Sequence, residues 1–111
     1  MSAAVTDRYG VLLALVRSES ASAHTANASM QKAFTSASSR NPTSAIAENV
    51  SKNPLAAGMA DIPGFLVLAG GVPIKVGKDT IGSIGVAGAP GGNLDEACAN
   101  KAIEKVSNRL Q

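Results

Sequence analysis

The chain has 111 residues and a formal net charge of +2 at pH 7, enough for one compact domain and too little for two. With 45% hydrophobic and 16% charged residues it is neither a disordered tail nor a polar linker. Its ten basic residues are scattered, so no basic stripe with interleaved aromatics points to nucleic acid.

Cys98 is the single cysteine, which excludes an intrachain disulfide and a cysteine-based metal cluster. Alanine fills 20 positions and the aromatics are only Tyr9, Phe34 and Phe65. A core of such small side chains buries little area per residue, so burial against a second copy is expected. The charge-free stretch at residues 62–74 is broken by Pro63, Gly64, Gly70, Gly71 and Pro73, and it falls short of the ~20 residues of a membrane span. The first residues lack a basic segment followed by an apolar one, which points to the cytoplasm; removal of a leader would allow secretion or the periplasm.

In chain order, residues 3–6 predict a short strand and residues 7–10 a turn ending on Gly10. Residues 11–16, Val-Leu-Leu-Ala-Leu-Val, form a nearly continuous apolar run, which predicts a hairpin partner covered on both faces. From residue 22 to 40 the period changes. Ala23, Ala26, Met30, Ala33, Phe34 and Ala37 recur at helical spacing and predict a helix with that stripe buried, stopped by Asn41-Pro42. Residues 41–62 predict two short helical turns, the first capped by Thr43 and the second begun by Asn53-Pro54.

Three further strands are predicted at residues 64–69, 72–76 and 80–88, joined by Gly70-Gly71 and by the turn Gly77-Lys78-Asp79, as an antiparallel meander. Pro73 lacks an N–H and places its strand at an edge or a strand start. A closing helix is predicted over residues 94–110, with Asn93 and Glu96 as a capping box and Cys98, Ala102, Val106 and Leu110 on its inner face. The fold class is α+β, about five antiparallel strands with two main helices.

Two features can carry chemistry. His24 is the only histidine; it opens the first long helix and lies off the apolar stripe. A lone imidazole makes no structural zinc site, but it suffices as an axial ligand to haem iron. The run Gly88-Ala89-Pro90-Gly91-Gly92-Asn93 precedes the last helix and offers backbone N–H groups to a small anion, while the same glycines can simply make room for a helix on the strand. It is neither a Walker A loop nor a dinucleotide fingerprint. Asp95 and Glu96 are adjacent on a helix and point apart, which suits the helix dipole better than paired acid–base work. No Gly-x-Ser-x-Gly elbow is present, so a hydrolase is disfavoured.

The chain resembles the GlcG/HbpS family, the haem-binding or "haem-degrading" domain family. The resemblance is carried by residues 5–10 (Val-Thr-Asp-Arg-Tyr-Gly), 21–25 (Ala-Ser-Ala-His-Thr) and 31–37 (Gln-Lys-Ala-Phe-Thr-Ser-Ala). It continues through 62–74 (Ile-Pro-Gly-Phe-Leu-Val-Leu-Ala-Gly-Gly-Val-Pro-Ile), 81–89 (Ile-Gly-Ser-Ile-Gly-Val-Ala-Gly-Ala) and 94–99 (Leu-Asp-Glu-Ala-Cys-Ala). It implies a single domain over residues 1–111 with a profilin-like fold, a five-stranded antiparallel sheet flanked by helices, assembled as a homo-oligomer. Members usually begin with a helix before the first strand, and this chain starts at that strand. A branch of the family carries His-Thr where His24-Thr25 stand here.

The resemblance thus implies haem as cofactor, bound through His24 and Thr25, with Arg17, Lys32 or Lys75 as partners for its propionates. The alternative reading is an enzyme or accessory protein that holds a small anionic metabolite, such as glycolate, at Gly88, Gly91, Gly92 and Asn93. A third is a structural module that only assembles.

Overall fold

The computed structural model describes residues 1–110. Its first half opens with strands β1 (Ser2–Asp7) and β2 (Leu12–Arg17), then helices α1 (Thr25–Ser39) and α2 (Thr43–Lys52), and a 3-10 helix at Pro54–Asp61. Strands β3 (Gly71–Val76) and β4 (Asp79–Ala87) and helix α3 (Gly92–Val106) follow, with a short 3-10 turn at Ser107–Arg109. The class is α+β, and one antiparallel sheet in the order β2-β1-β4-β3 forms its centre.

Both hairpins form where the turn chemistry predicts. Asp7 Oδ1 accepts the N–H groups of Tyr9 (2.8 Å) and Val11 (3.1 Å), and Gly10 follows with φ of 79°. In the second hairpin Val76 pairs with Asp79, and Gly77 takes φ of 61° at the first of two turn residues, as a type II′ turn requires. Pro73 lies on β3, an edge strand, as its missing N–H demands.

The sheet has four strands, not five. Residues 64–69 form no strand because their polar groups are satisfied elsewhere. The Leu66 N–H donates to Thr35 Oγ1 (2.9 Å), and the Leu68 N–H turns back to the Leu66 carbonyl (3.0 Å). Phe65 packs edge-on to Phe34, centroids 6.0 Å apart. The segment is therefore pinned to α1 and pairs with neither sheet edge.

The two long helices take opposite faces. On one face Val72, Ile84, Val86 and Ala99 form the apolar core, with Ala3, Val5, Ile74 and Ile103 packed around them. On the other, α1 lies directly on β4: a Cβ at Gly85 would strike Ser29 O and Ala33 N, so only glycine permits this approach. The α1 face against the sheet is small and polar, with Thr25, Ser29, Lys32, Ala33, Ser36 and Ala37 buried. The predicted apolar stripe survives only at Ala33 and Ala37; Ala26, Met30 and Phe34 are half-buried, and Ala23 precedes the helix in an exposed turn.

Three further expectations are corrected. Strand β2 is exposed at all six positions, not covered on both faces, because it is a sheet edge and α3 lies over the β3–β4 half of its face. Val16 is 70% exposed and Leu13 66%. Gly91, not Asn93, caps α3, so no capping box forms, and Glu96 instead accepts a hydrogen bond from Ser44 Oγ. The inner face of α3 runs through Asp95, Ala99 and Ile103, with Cys98 and Val106 exposed. Similarly, Thr43 sits inside α2 after its cap Pro42, and its hydroxyl accepts the Gly71 N–H at 2.8 Å. Asn53 does cap the 3-10 helix, accepting the Leu55 N–H at 3.1 Å.

Candidate functional site: a cavity between two helix starts

His24 and the glycine loop, unrelated in sequence, line one cavity of about 390 Å³. Ser22 and His24 come from the segment entering α1, Ala28 from its first turn and Lys32 from its middle; Gly88, Gly91, Gly92 and Asp95 come from the loop and first turn of α3. Leu68, Ala87, Ala89 and Pro90 add apolar wall. The volume falls within the range of small-molecule sites.

Each side is positioned by its backbone. His24 is the N-cap residue of α1 and makes no side-chain capping bond, so its exposed imidazole is free of the helix it begins. Gly88 turns the chain out of β4 with φ of 110°, where an added Cβ would meet Met1 Cα at 3.0 Å and Thr25 Cγ2 at 3.2 Å. Gly91 caps α3 with no side chain to offer, which leaves first-turn N–H groups without an intrahelical partner beside the cavity.

The floor is an ion pair. Lys32 Nζ donates to Asp95 Oδ2 at 3.1 Å and to the Val86 carbonyl at 3.0 Å, and the two side chains are only 2% and 4% exposed. Asp95 Oδ1 accepts the Ala89 N–H at 2.9 Å, so the carboxylate ties α1 to the glycine loop, and Lys32 carries the tie on to β4. Sequence reasoning missed this role of Asp95. The available signal was an acidic residue just after a glycine loop, which by itself indicates only a favourable helix dipole.

The other predicted residues are dispersed. Thr25 is buried below His24, its hydroxyl paired with Ser22 O (2.8 Å) and Ser2 Oγ (2.9 Å). Arg17 is exposed and donates to the Ala21 carbonyl at 2.8 Å, on the segment leading to His24. Asn93 is exposed and outside the cavity lining. Lys75 lines a separate hollow with Ile103 and Leu110. Among the described residues no group of three His, Cys, Asp or Glu side chains is placed to hold a metal ion, and no helix is long and apolar enough to cross a membrane.

The fold is thus an α+β domain with one imidazole lining a cavity of mixed polar and apolar residues. The family described as "Haem degrading protein HbpS-like" matches residues 1–104, and the chain belongs to that family. Among solved structures, a double mutant of Streptomyces reticuli HbpS is 39% identical, over 95% of this chain and 70% of that one, with a TM-score of 0.87. The Klebsiella pneumoniae protein ORFY is 25% identical, over 96% and 74%, with a TM-score of 0.89. A complex of PduOC with haem shares the fold at 19% identity, over 93% and 75%, with a TM-score of 0.85. No curated protein matches the chain.

Proposed function

We propose that the protein binds haem, with the His24 imidazole as an axial ligand at the rim of the glycine-loop cavity. The observation that carries this reading is the convergence of the only imidazole with the 88–92 loop around one cavity. Membership of a haem-related family and the haem complex of a protein of the same fold support it. Bound there, haem would be held by His24 and would supply an iron centre.

The residues lining the cavity fit the donor chemistry of haem. The imidazole makes no capping bond, and Ala28, Leu68, Ala87 and Pro90 offer apolar surface to a macrocycle edge. Lys32 is held by Asp95 and acts as a structural cation, leaving Arg17 as the residue to pair with a propionate. Thr25 acts indirectly, fixing the turn that presents His24. We also propose a homo-oligomer: the β1–β2 half of one sheet face carries Val16 and Ala14 exposed, the kind of apolar surface a second copy covers.

A second reading places a small carboxylate at the same cavity, favoured by the start of α3, which no side chain caps. A haemin titration followed by visible spectra, with His24→Ala and Gly91→Val alongside, separates the readings. Haem binding through His24 predicts a saturable Soret shift lost in His24→Ala. Carboxylate binding predicts thermal stabilisation by glycolate that is lost in Gly91→Val and retained in His24→Ala. A module that only assembles shows neither, and melts at a temperature that depends on protein concentration.

A further inference from the structure

The far end of α1 carries a different constellation. Arg8 and Tyr9 from the β1–β2 turn, Arg40 from the end of α1, and Lys78, Asp79 and Thr80 from the β3–β4 hairpin line a polar recess of about 160 Å³. Three cations from three separate elements thus meet around one hollow against a single carboxylate. The salt bridges among the described residues are Lys32–Asp95 and Lys52–Glu48, so none of these three cations is paired there. Asp7, the nearest acidic neighbour in sequence, spends Oδ1 on the Tyr9 and Val11 N–H groups and shapes the turn that presents Arg8.

The backbone adds an independent observation. Arg40 is the one non-glycine residue with a positive φ among those described, at 61°. It caps α1 in the left-handed conformation, its N–H on Ser36 O at 2.8 Å, a position glycine ordinarily fills. An arginine held in that conformation, lining one recess with two other unpaired cations, fits a binding position as well as a helix stop. Gly10 and Gly77 set the two hairpin turns on strands paired in one sheet, so the recess is built on rigid elements.

We propose that this recess is a binding site for the phosphate group of a small phosphorylated molecule. Two guanidinium forks and an ammonium match phosphate oxygens in charge and geometry, with the Tyr9 and Thr80 hydroxyls as further donors. The hollow admits a phosphate group but is far smaller than ordinary ligand pockets, so the rest of the ligand would lie outside. It is also a separate site from the His24 cavity, since α1 spans 15 residues, about 22 Å at the helical rise.

The test is isothermal titration of the purified chain with pyrophosphate, and with citrate as a carboxylate of comparable charge, at low ionic strength. Binding should saturate at one pyrophosphate per chain and be at least tenfold weaker for citrate. Arg40→Gly should weaken pyrophosphate at least tenfold while its melting temperature stays level or rises, because glycine relieves the left-handed φ. Arg8→Gln with Lys78→Gln should weaken it likewise, and Lys52→Gln, which removes one charge elsewhere as Arg40→Gly does here, should not. Absent saturation, equal affinity for citrate, or equal weakening by Lys52→Gln would each overturn the proposal.

Discussion

Lys32 Nζ and Asp95 Oδ2 lie 3.1 Å apart with both side chains almost wholly buried, joining the middle of α1 to the first turn of α3 beneath the cavity. The pair stands at the point where the two halves of the candidate site meet. Removing one partner leaves an uncompensated buried charge, so Lys32→Met or Asp95→Leu should each cost about 3–5 kcal/mol. Replacing both should recover most of that loss. Urea denaturation of the two single variants and the double variant measures the coupling, and additive losses would count against it.

Gly85 sets the distance between α1 and the sheet. Its missing Cβ is the space that Ser29 O and Ala33 N occupy, and backbone cannot step aside as a side chain can. Gly85→Ala is expected to destabilise the fold by ~3 kcal/mol, whereas Gly58→Ala, with open space around it, should leave the melting temperature unchanged or raised.

How much of this was legible in the sequence follows from the range of each signal. The two hairpins, the stop of α1 before Pro42 and the start of the 3-10 helix at Pro54 depend on turn and proline chemistry within a few residues, and all are found where predicted. The apolar run of β2 reads as buried because periodicity reports hydrophobicity, not position in a sheet. Residues 64–69 read as a strand for the same reason, while the Thr35 hydroxyl that takes the Leu66 N–H lies 31 residues away. The inner face of α3 was misjudged because Asp95 is drawn inward by Lys32, 63 residues distant, and an acidic residue in a first helical turn ordinarily reads as solvated. Of the site, His24 and the glycine loop were each visible; that they share one cavity was not.

The Thr35 hydroxyl anchors that non-strand segment. Thr35→Val keeps the shape and removes the acceptor for the Leu66 N–H, at a cost of about 1–2 kcal/mol. Hydrogen exchange should show faster exchange at Leu66 than in the native chain, with β4 amides unchanged.

The exposed apolar strand gives a prediction about assembly. Leu13→Lys with Val16→Lys changes side chains that are already in solvent within one chain, so monomer stability should move by no more than ~0.5 kcal/mol. Light scattering should show the native protein as an oligomer and this variant as a monomer. An unchanged mass for the variant would place the contact elsewhere.

The central claim is that the His24 imidazole ligates haem iron at the cavity rim, and imidazole rescue tests it most directly. The native protein should take up one haemin per chain with a sharp Soret band, and His24→Ala should lose that band. Free imidazole added to the variant should restore the native spectrum by filling the space the side chain left. If native and His24→Ala proteins instead give the same spectrum and the same titration, His24 is not the ligand and the account of the site is wrong.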